Sequence, residues 1–195
     1  MGINPMKIFF RKNLSFEEIV EGCKQGNRSC QSLLYHQTSG KMFGLCQRYM
    51  KDKQIAEDML QEGYLKLFAH LSKFKGEGSF DGWMRRIFVN TCLEELRKTK
   101  LNLLLEEEIS ENLSYSNDSF GEYYAVQDLL EMVFSLPDGY RTIFNLYAIE
   151  GYSHQEIAEL LGISESTSKS QLSRARNVLK VKLEKQNIEA LSYVN

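Results

Sequence analysis

The sequence predicts an all-α protein of two small helical domains joined by a flexible acidic linker, the C-terminal one a helix-turn-helix. Three observations predict it. The 195 residues hold two prolines and few strand-like alternations of apolar and polar side chains. Two capping boxes, Ser15 with Glu18 and Ser153 with Glu156, stand directly before helically spaced apolar residues, flanked by the staple pairs Leu14/Ile19 and Tyr152/Ile157. From Glu106 to Glu122 every charge is acidic, in a run of small polar residues with too few apolar anchors to offset the entropy of ordering.

Taken in order, a first short helix leaves Ser15 and reaches about Gln25, where Gly26-Asn27 breaks it. A longer helix over Ser29 to Met50 follows, interrupted or bent near Thr38-Ser39-Gly40. Its apolar side carries Leu33, Leu34, Met42, Phe43, Cys46 and Tyr49, expected in the core. Ile55 to Leu71 forms the next helix, with Leu60, Tyr64, Leu67, Phe68 and Leu71 on one face. Asp58, Gln61 and Glu62 share the opposite face at i, i+3, i+4 spacing. Such a carboxylate pair could hold a cation or act as acid and base. The absence of a nearby histidine or third carboxylate favours a solvated or protein-docking face instead.

Residues 73–80, Lys-Phe-Lys-Gly-Glu-Gly-Ser-Phe, read as a loop. Asp81 to Lys98 is then a helix carrying Trp83, Arg85, Arg86, Ile87, Phe88, Asn90 and Glu94. Basic residues interleaved with aromatics are the composition of a single-strand platform, in which rings stack on bases and cations neutralise phosphates. Burial of Trp83, Ile87 and Leu96 in a core is the plainer alternative. After the linker, 100–125, an apolar helix over Val126 to Ser135 ends at Leu136-Pro137. A second helix, with Ile143, Phe144, Leu146 and Tyr147, leads to Gly151.

The stretch 151–180 carries the most information. Gly162 supplies the left-handed residue that ends the helix begun at Ser153, and Ser164 caps the next. On that helix Leu172, Ala175 and Leu179 point inward. Ser166, Lys169, Ser170, Ser173, Arg174 and Asn177 point outward, a small-polar and basic face of the kind that reads a DNA major groove.

Composition narrows the function classes. A net charge of −2 argues against nonspecific coating of nucleic acid, but basic residues dominate over 73–100 and 169–185, and local charge sets phosphate contacts. The four cysteines, Cys23, Cys30, Cys46 and Cys92, show no metal-ligand spacing and read as reduced thiols. No nucleophile–base pair or metal cluster stands out, so no catalytic residue, metal or cofactor is expected, and the protein is read as a non-enzyme. No apolar run of about 18 residues supports membrane insertion, and no signal-peptide pattern opens the chain, so a cytoplasmic location is expected.

The chain resembles the extracytoplasmic-function group of bacterial RNA polymerase sigma factors over about residues 28–182. Ala56-Glu57-Asp58 with Gln61-Glu62 is similar to that family's A-E-D-x-x-Q-E helix. Phe80 to Asn90 resembles its F-x-x-W-L-x-x-I-x-x-N promoter-melting segment. Leu136-Pro137 with Arg141, and Gly151 to Arg176, resemble its L-P-x-x-x-R and helix-turn-helix motifs. The resemblance implies a region 2-like domain over 1–99, a linker over 100–125, a region 4-like domain over 126–186 and a tail over 187–195. Asp58, Gln61 and Glu62 would bind core RNA polymerase. Lys73, Phe74, Lys75, Phe80, Trp83, Arg86, Asn90 and Glu94 would melt and read the −10 element. Ser166, Lys169, Ser170, Ser173, Arg174 and Asn177 would read the duplex −35 element. The linker would thread toward the polymerase active site, its acids mimicking RNA. Expected partners are core polymerase, promoter DNA and an anti-sigma factor.

Departures matter too. Ser168 replaces a usual apolar residue, which predicts softer packing of the helix-turn-helix. Ser173 stands where a larger side chain is common, so base preference does not carry over, and Gly63 and Gly82 carry a modest helix-propensity cost. The competing function is a conventional helix-turn-helix operator-binding regulator. Such proteins usually dimerise, and no dimer helix or ligand-binding domain is evident here.

Overall fold

The computed structural model describes residues 14–105 and 131–192, with side chains over 14–98 and 131–184. The described residues are helical, with no strand among them: α1 (Phe16–Lys24), α2 (Arg28–Tyr49), α3 (Lys53–His70), a 3₁₀ turn (Leu71–Lys73), α4 (Phe80–Leu105), α5 (131–134), α6 (Asp138–Phe144), a π-helical turn (Asn145–Ile149), α7 (His154–Leu161) and α8 (Glu165–Ser192). No described helix is long and apolar enough to cross a membrane. The chain divides into two compact units, Met1–Cys46 with Gln54–Glu94, and Gln47–Lys53 with Glu95–Asn195.

In the first unit both halves of the first capping box are closed. Glu18 N donates to Ser15 Oγ at 3.2 Å, and Ser15 N donates to Glu18 Oε2 at 2.8 Å. Asn27 starts α2 by accepting from the Ser29 and Cys30 amides, at 2.9 and 3.2 Å. The expected interruption at Thr38 is absent and α2 runs through it. The Thr38 hydroxyl lies 2.7 Å from the Leu34 carbonyl and 2.6 Å from Tyr64 Oη, so a residue that often competes with helix is tied into one. Leu34, Met42, Cys46 and Tyr49 are buried as expected, whereas Leu33 is exposed and Phe43 half-buried.

Gly63 is no tolerated defect. A Cβ there would stand 2.4 Å from Phe88 Cε1, so the missing side chain lets the α4 ring approach the α3 backbone. Phe88 in turn meets Tyr64 edge-on at 5.1 Å, beside Tyr35 and Phe68. Packing specificity therefore outweighs the propensity cost of about 1 kcal/mol. All four cysteines are free and buried; burial, then the neighbouring Cys30, pushes the Cys23 thiol up to about 11.

The second unit packs Met132, Val133 and Leu136 against Ala175 and Leu179, with Tyr140, Phe144 and Val178 at the margin. Arg141, although only 2% exposed, is held by the Leu136 and Tyr49 carbonyls at 3.4 and 3.1 Å and by Asp138 at 3.0 Å. Asn145 donates to the Arg48 carbonyl at 2.8 Å, and Arg48 pairs with Glu150 at 2.8 Å. Two elements exceed their expected lengths: α4 continues past Lys98 to Leu105, and α8 past Lys180 to Ser192. The remainder of the expected linker, 106–125, and the start of the helix expected over 126–135 lie outside the described residues.

Candidate nucleic-acid interface

The helix-turn-helix follows from local chemistry. Ser153 Oγ accepts from Glu156 N at 3.2 Å and Glu156 Oε2 accepts from Ser153 N at 2.8 Å, which opens α7. Gly162 closes it at φ 66°, ψ 36°, a conformation costly for other residues. Ser164 Oγ then accepts from Thr167 N at 3.0 Å and starts α8. Ile157, Ser168, Leu172, Ala175 and Leu179 are buried, and all six outward residues of the sequence reading, Ser166, Lys169, Ser170, Ser173, Arg174 and Asn177, are exposed. Lys169 is paired with Glu165 at 3.2 Å, and Ser170 Oγ donates to the Thr167 carbonyl at 3.0 Å. Ser173, Arg174 and Asn177 line an open groove with Arg176 and Lys180.

Those last two cations were not singled out from the sequence. Arg176 sits at the seam between the buried and exposed sides of α8, where periodicity alone does not assign it. Its guanidinium lies 5.7 Å over the Tyr147 ring, and the other aromatic contact of that ring is His154, stacked at 4.5 Å. His154 Nδ1 is 2.9 Å from Ser168 Oγ. The departure at Ser168 is thus compensated, since a hydrogen bond joins α7 to α8 where an apolar contact would serve and leaves no polar group stranded.

In the first unit, Asp58, Gln61 and Glu62 are exposed on one side of α3. The same side carries Ile55 and Leu65, 41% and 67% exposed, a mixed acidic and apolar strip suited to a protein partner. Among the described residues, no group of three or more histidine, cysteine or acidic side chains is placed to hold a metal ion. The loop that follows leaves Lys73 and Lys75 exposed. Phe74, Phe80 and Trp83 cluster, with ring centres 5.2 to 5.8 Å apart, and Phe16 joins them at 5.7 Å from Phe80. Phe80 is buried beneath the cluster, whereas Phe74 and Trp83 stay half-exposed, with Lys24 5.5 Å over the Phe74 ring. Arg86, Asn90 and Glu94 continue from Trp83 as an exposed stripe along α4. Met84, Phe88, Val89, Cys92 and Leu93 occupy the buried side.

Glu94 accepts from Lys66 Nζ of α3 at 2.6 Å, and Lys66 also lies 3.5 Å from Glu62. Partial burial pulls the Lys66 pKa down, but the hydrogen bond and charge of Glu94, with Glu62, raise it on balance, so Lys66 is a cation at neutral pH.

Both units are similar to known proteins. The family description "Sigma-70 region 2" matches residues 34–101, and "Sigma-70, region 4" matches residues 127–179. RNA polymerase sigma factor SigZ of Bacillus subtilis is 33% identical, over 69% of this chain and 76% of its own length. The chain belongs to the RNA polymerase sigma factors. The ECF RNA polymerase sigma-E factor of Haemophilus influenzae is 28% identical over 89% of this chain and 97% of its own. The fold agrees with a solved structure of the sigma factor RpoE in complex with the anti-sigma factor NepR from Bartonella quintana. Its TM-score is 0.56 at 21% identity, covering 78% of this chain and 96% of that one. The protein is therefore an alternative sigma factor that directs promoter recognition and transcription initiation, and the operator-binding regulator is not favoured. Sigma factors are not enzymes.

Proposed function

We propose a division of labour for this sigma factor in the cytoplasm, with a region 2-like domain over 1–99, a linker over 100–125, a region 4-like domain over 126–186 and a tail over 187–195. Asp58, Gln61 and Glu62 dock core RNA polymerase, and the exposed apolar pair Ile55 and Leu65 flanks them on the same strip. Lys73, Lys75, Phe74, Trp83, Arg86, Asn90 and Glu94 capture the melted −10 strand, and buried Phe80 supports the aromatic platform from below. Ser166, Lys169, Ser170, Ser173, Arg174 and Asn177 read the −35 duplex. An anti-sigma factor is the proposed regulator, by analogy with the complex of the RpoE relative.

The observation that carries this reading is the stripe of half-exposed Trp83 and exposed Arg86, Asn90 and Glu94 beside a lysine-bearing loop, with Met84, Phe88, Val89, Cys92 and Leu93 buried on the other side of α4. A ring for stacking, a cation for phosphate and an amide for a base edge are what an unpaired strand offers contacts to. Asn90→Ala is expected to weaken binding of the non-template single strand about 2- to 10-fold, the value of one or two hydrogen bonds. It should slow open-complex formation and spare −35 duplex binding. An equal fall in −35 binding by the same variant would remove Asn90 from the strand-reading role.

A further inference from the structure

Glu62 and Glu94 stand on different helices and serve different proposed interfaces, the first toward polymerase on α3, the second toward the −10 strand on α4. One cation joins them. Lys66 Nζ lies 2.6 Å from Glu94 and 3.5 Å from Glu62. Its side chain is 29% exposed, against 47% for Glu62 and 51% for Glu94, so the cation is the least hydrated of the three and each carboxylate keeps a solvent-facing side for an incoming partner.

We infer that Lys66 is a positioning residue that couples polymerase docking to single-strand capture. The inference rests on the assignments of Glu62 and Glu94 made above. In the free protein one positive charge is divided between two carboxylates. A polymerase cation that engages Glu62 repels Lys66 and replaces it there, which leaves Lys66 wholly to Glu94. A fully paired Glu94 repels the phosphates of a nearby strand less and is held in one orientation toward a base edge. Both consequences favour strand binding. Linkage makes the effect reciprocal, so a strand held on α4 strengthens polymerase docking on α3 by the same factor. Half-exposed ion pairs are weak, which caps the coupling at about fivefold.

The test measures affinity of the full-length chain for core polymerase with and without a saturating −10 non-template oligonucleotide, by fluorescence anisotropy at fixed salt. Lys66→Met is expected to reduce the oligonucleotide's enhancement of core affinity about three- to fivefold, while core affinity without oligonucleotide moves less than twofold. Lys66→Arg should retain the enhancement, and Glu62→Gln should lower it in the wild-type background but not further in Lys66→Met. If Glu62→Gln leaves core affinity unchanged, or Glu94→Gln leaves strand affinity unchanged, the underlying assignment fails. If both shift as assigned and Lys66→Met keeps the full enhancement, the coupling alone is overturned. Should Lys66→Met fold poorly, Lys66→Gln carries the same expectations, and a fall in both separate affinities with the enhancement intact marks Lys66 as structural only.

Discussion

Reversing two charges on α3, D58K with E62K, is expected to lower affinity for core RNA polymerase by about 100-fold or more. Each reversal removes an attraction and adds a repulsion at the centre of a docking strip, about 2 kcal/mol apiece for hot-spot residues. The two together approach 3 to 4 kcal/mol, and each 1.4 kcal/mol is a factor of ten. The fold should survive, because both side chains are exposed while the buried side of α3, from Ala56 to Leu67, is untouched. Circular dichroism and thermal melting should therefore stay near wild type. Glu17→Lys reverses a single charge on α1, a different helix, and should leave polymerase binding within about threefold. Leu65→Asp should weaken binding by placing a charge where an apolar contact is proposed. A stoichiometrically bound divalent ion, or unchanged polymerase affinity, would assign the carboxylates another role.

The second large effect belongs to the recognition helix. Arg174 is exposed and lines the groove with Ser173 and Asn177, whereas Lys169 is already paired with Glu165 at 3.2 Å. An arginine can grip guanine with two hydrogen bonds, each such pair contributing about 1–3 kcal/mol of discrimination. Arg174→Ala is expected to cut binding to the preferred −35 sequence about 5- to 100-fold and to relax preference within that element. Lys169→Ala should weaken all sequences more evenly and reduce the slope of log affinity against log salt by about one. A −35 library scored against both variants separates the roles. One common factor of loss across the library for Arg174→Ala would make it a phosphate contact.

What was legible in the sequence was local. The capping boxes at Ser15 and Ser153, the Gly162 turn and the inward set Leu172, Ala175 and Leu179 involve residues a few positions apart, and each forms as read. Three of the differences have a partner distant in sequence as their cause. The break expected near Thr38 vanishes because Tyr64, on another helix, takes up its hydroxyl. Gly63 carries a propensity cost in sequence but makes room for the Phe88 ring, and Ser168 breaks an apolar pattern but is hydrogen-bonded to His154. Leu33 fits the apolar side of α2 by composition yet lies exposed.

The same division holds for the candidate site. Asp58, Gln61 and Glu62 declare themselves by spacing on one helix, and so do the six outward residues of α8. The Glu62–Lys66 half of the charge bridge was equally readable, since the two are four residues apart. Its other half was not, because Glu94 reaches Lys66 only when α4 packs on α3. Arg176 escaped for a similar reason: the Tyr147 ring beneath it comes from the preceding helical turn, not from α8. Charge pattern found the faces, and only packing joined them.

Promoter recognition by this chain is that of a polymerase subunit and not of a free operator-binding protein. It is tested most directly by mixing purified chain with a labelled promoter fragment bearing both elements, with and without core RNA polymerase, while following complex formation and short transcripts. A sequence-specific complex and transcripts starting at the promoter are expected only when chain and core are both present, with D58K/E62K losing both. An equally tight, equally specific complex on intact duplex in the absence of polymerase, unchanged by adding it and yielding no transcripts, would contradict it.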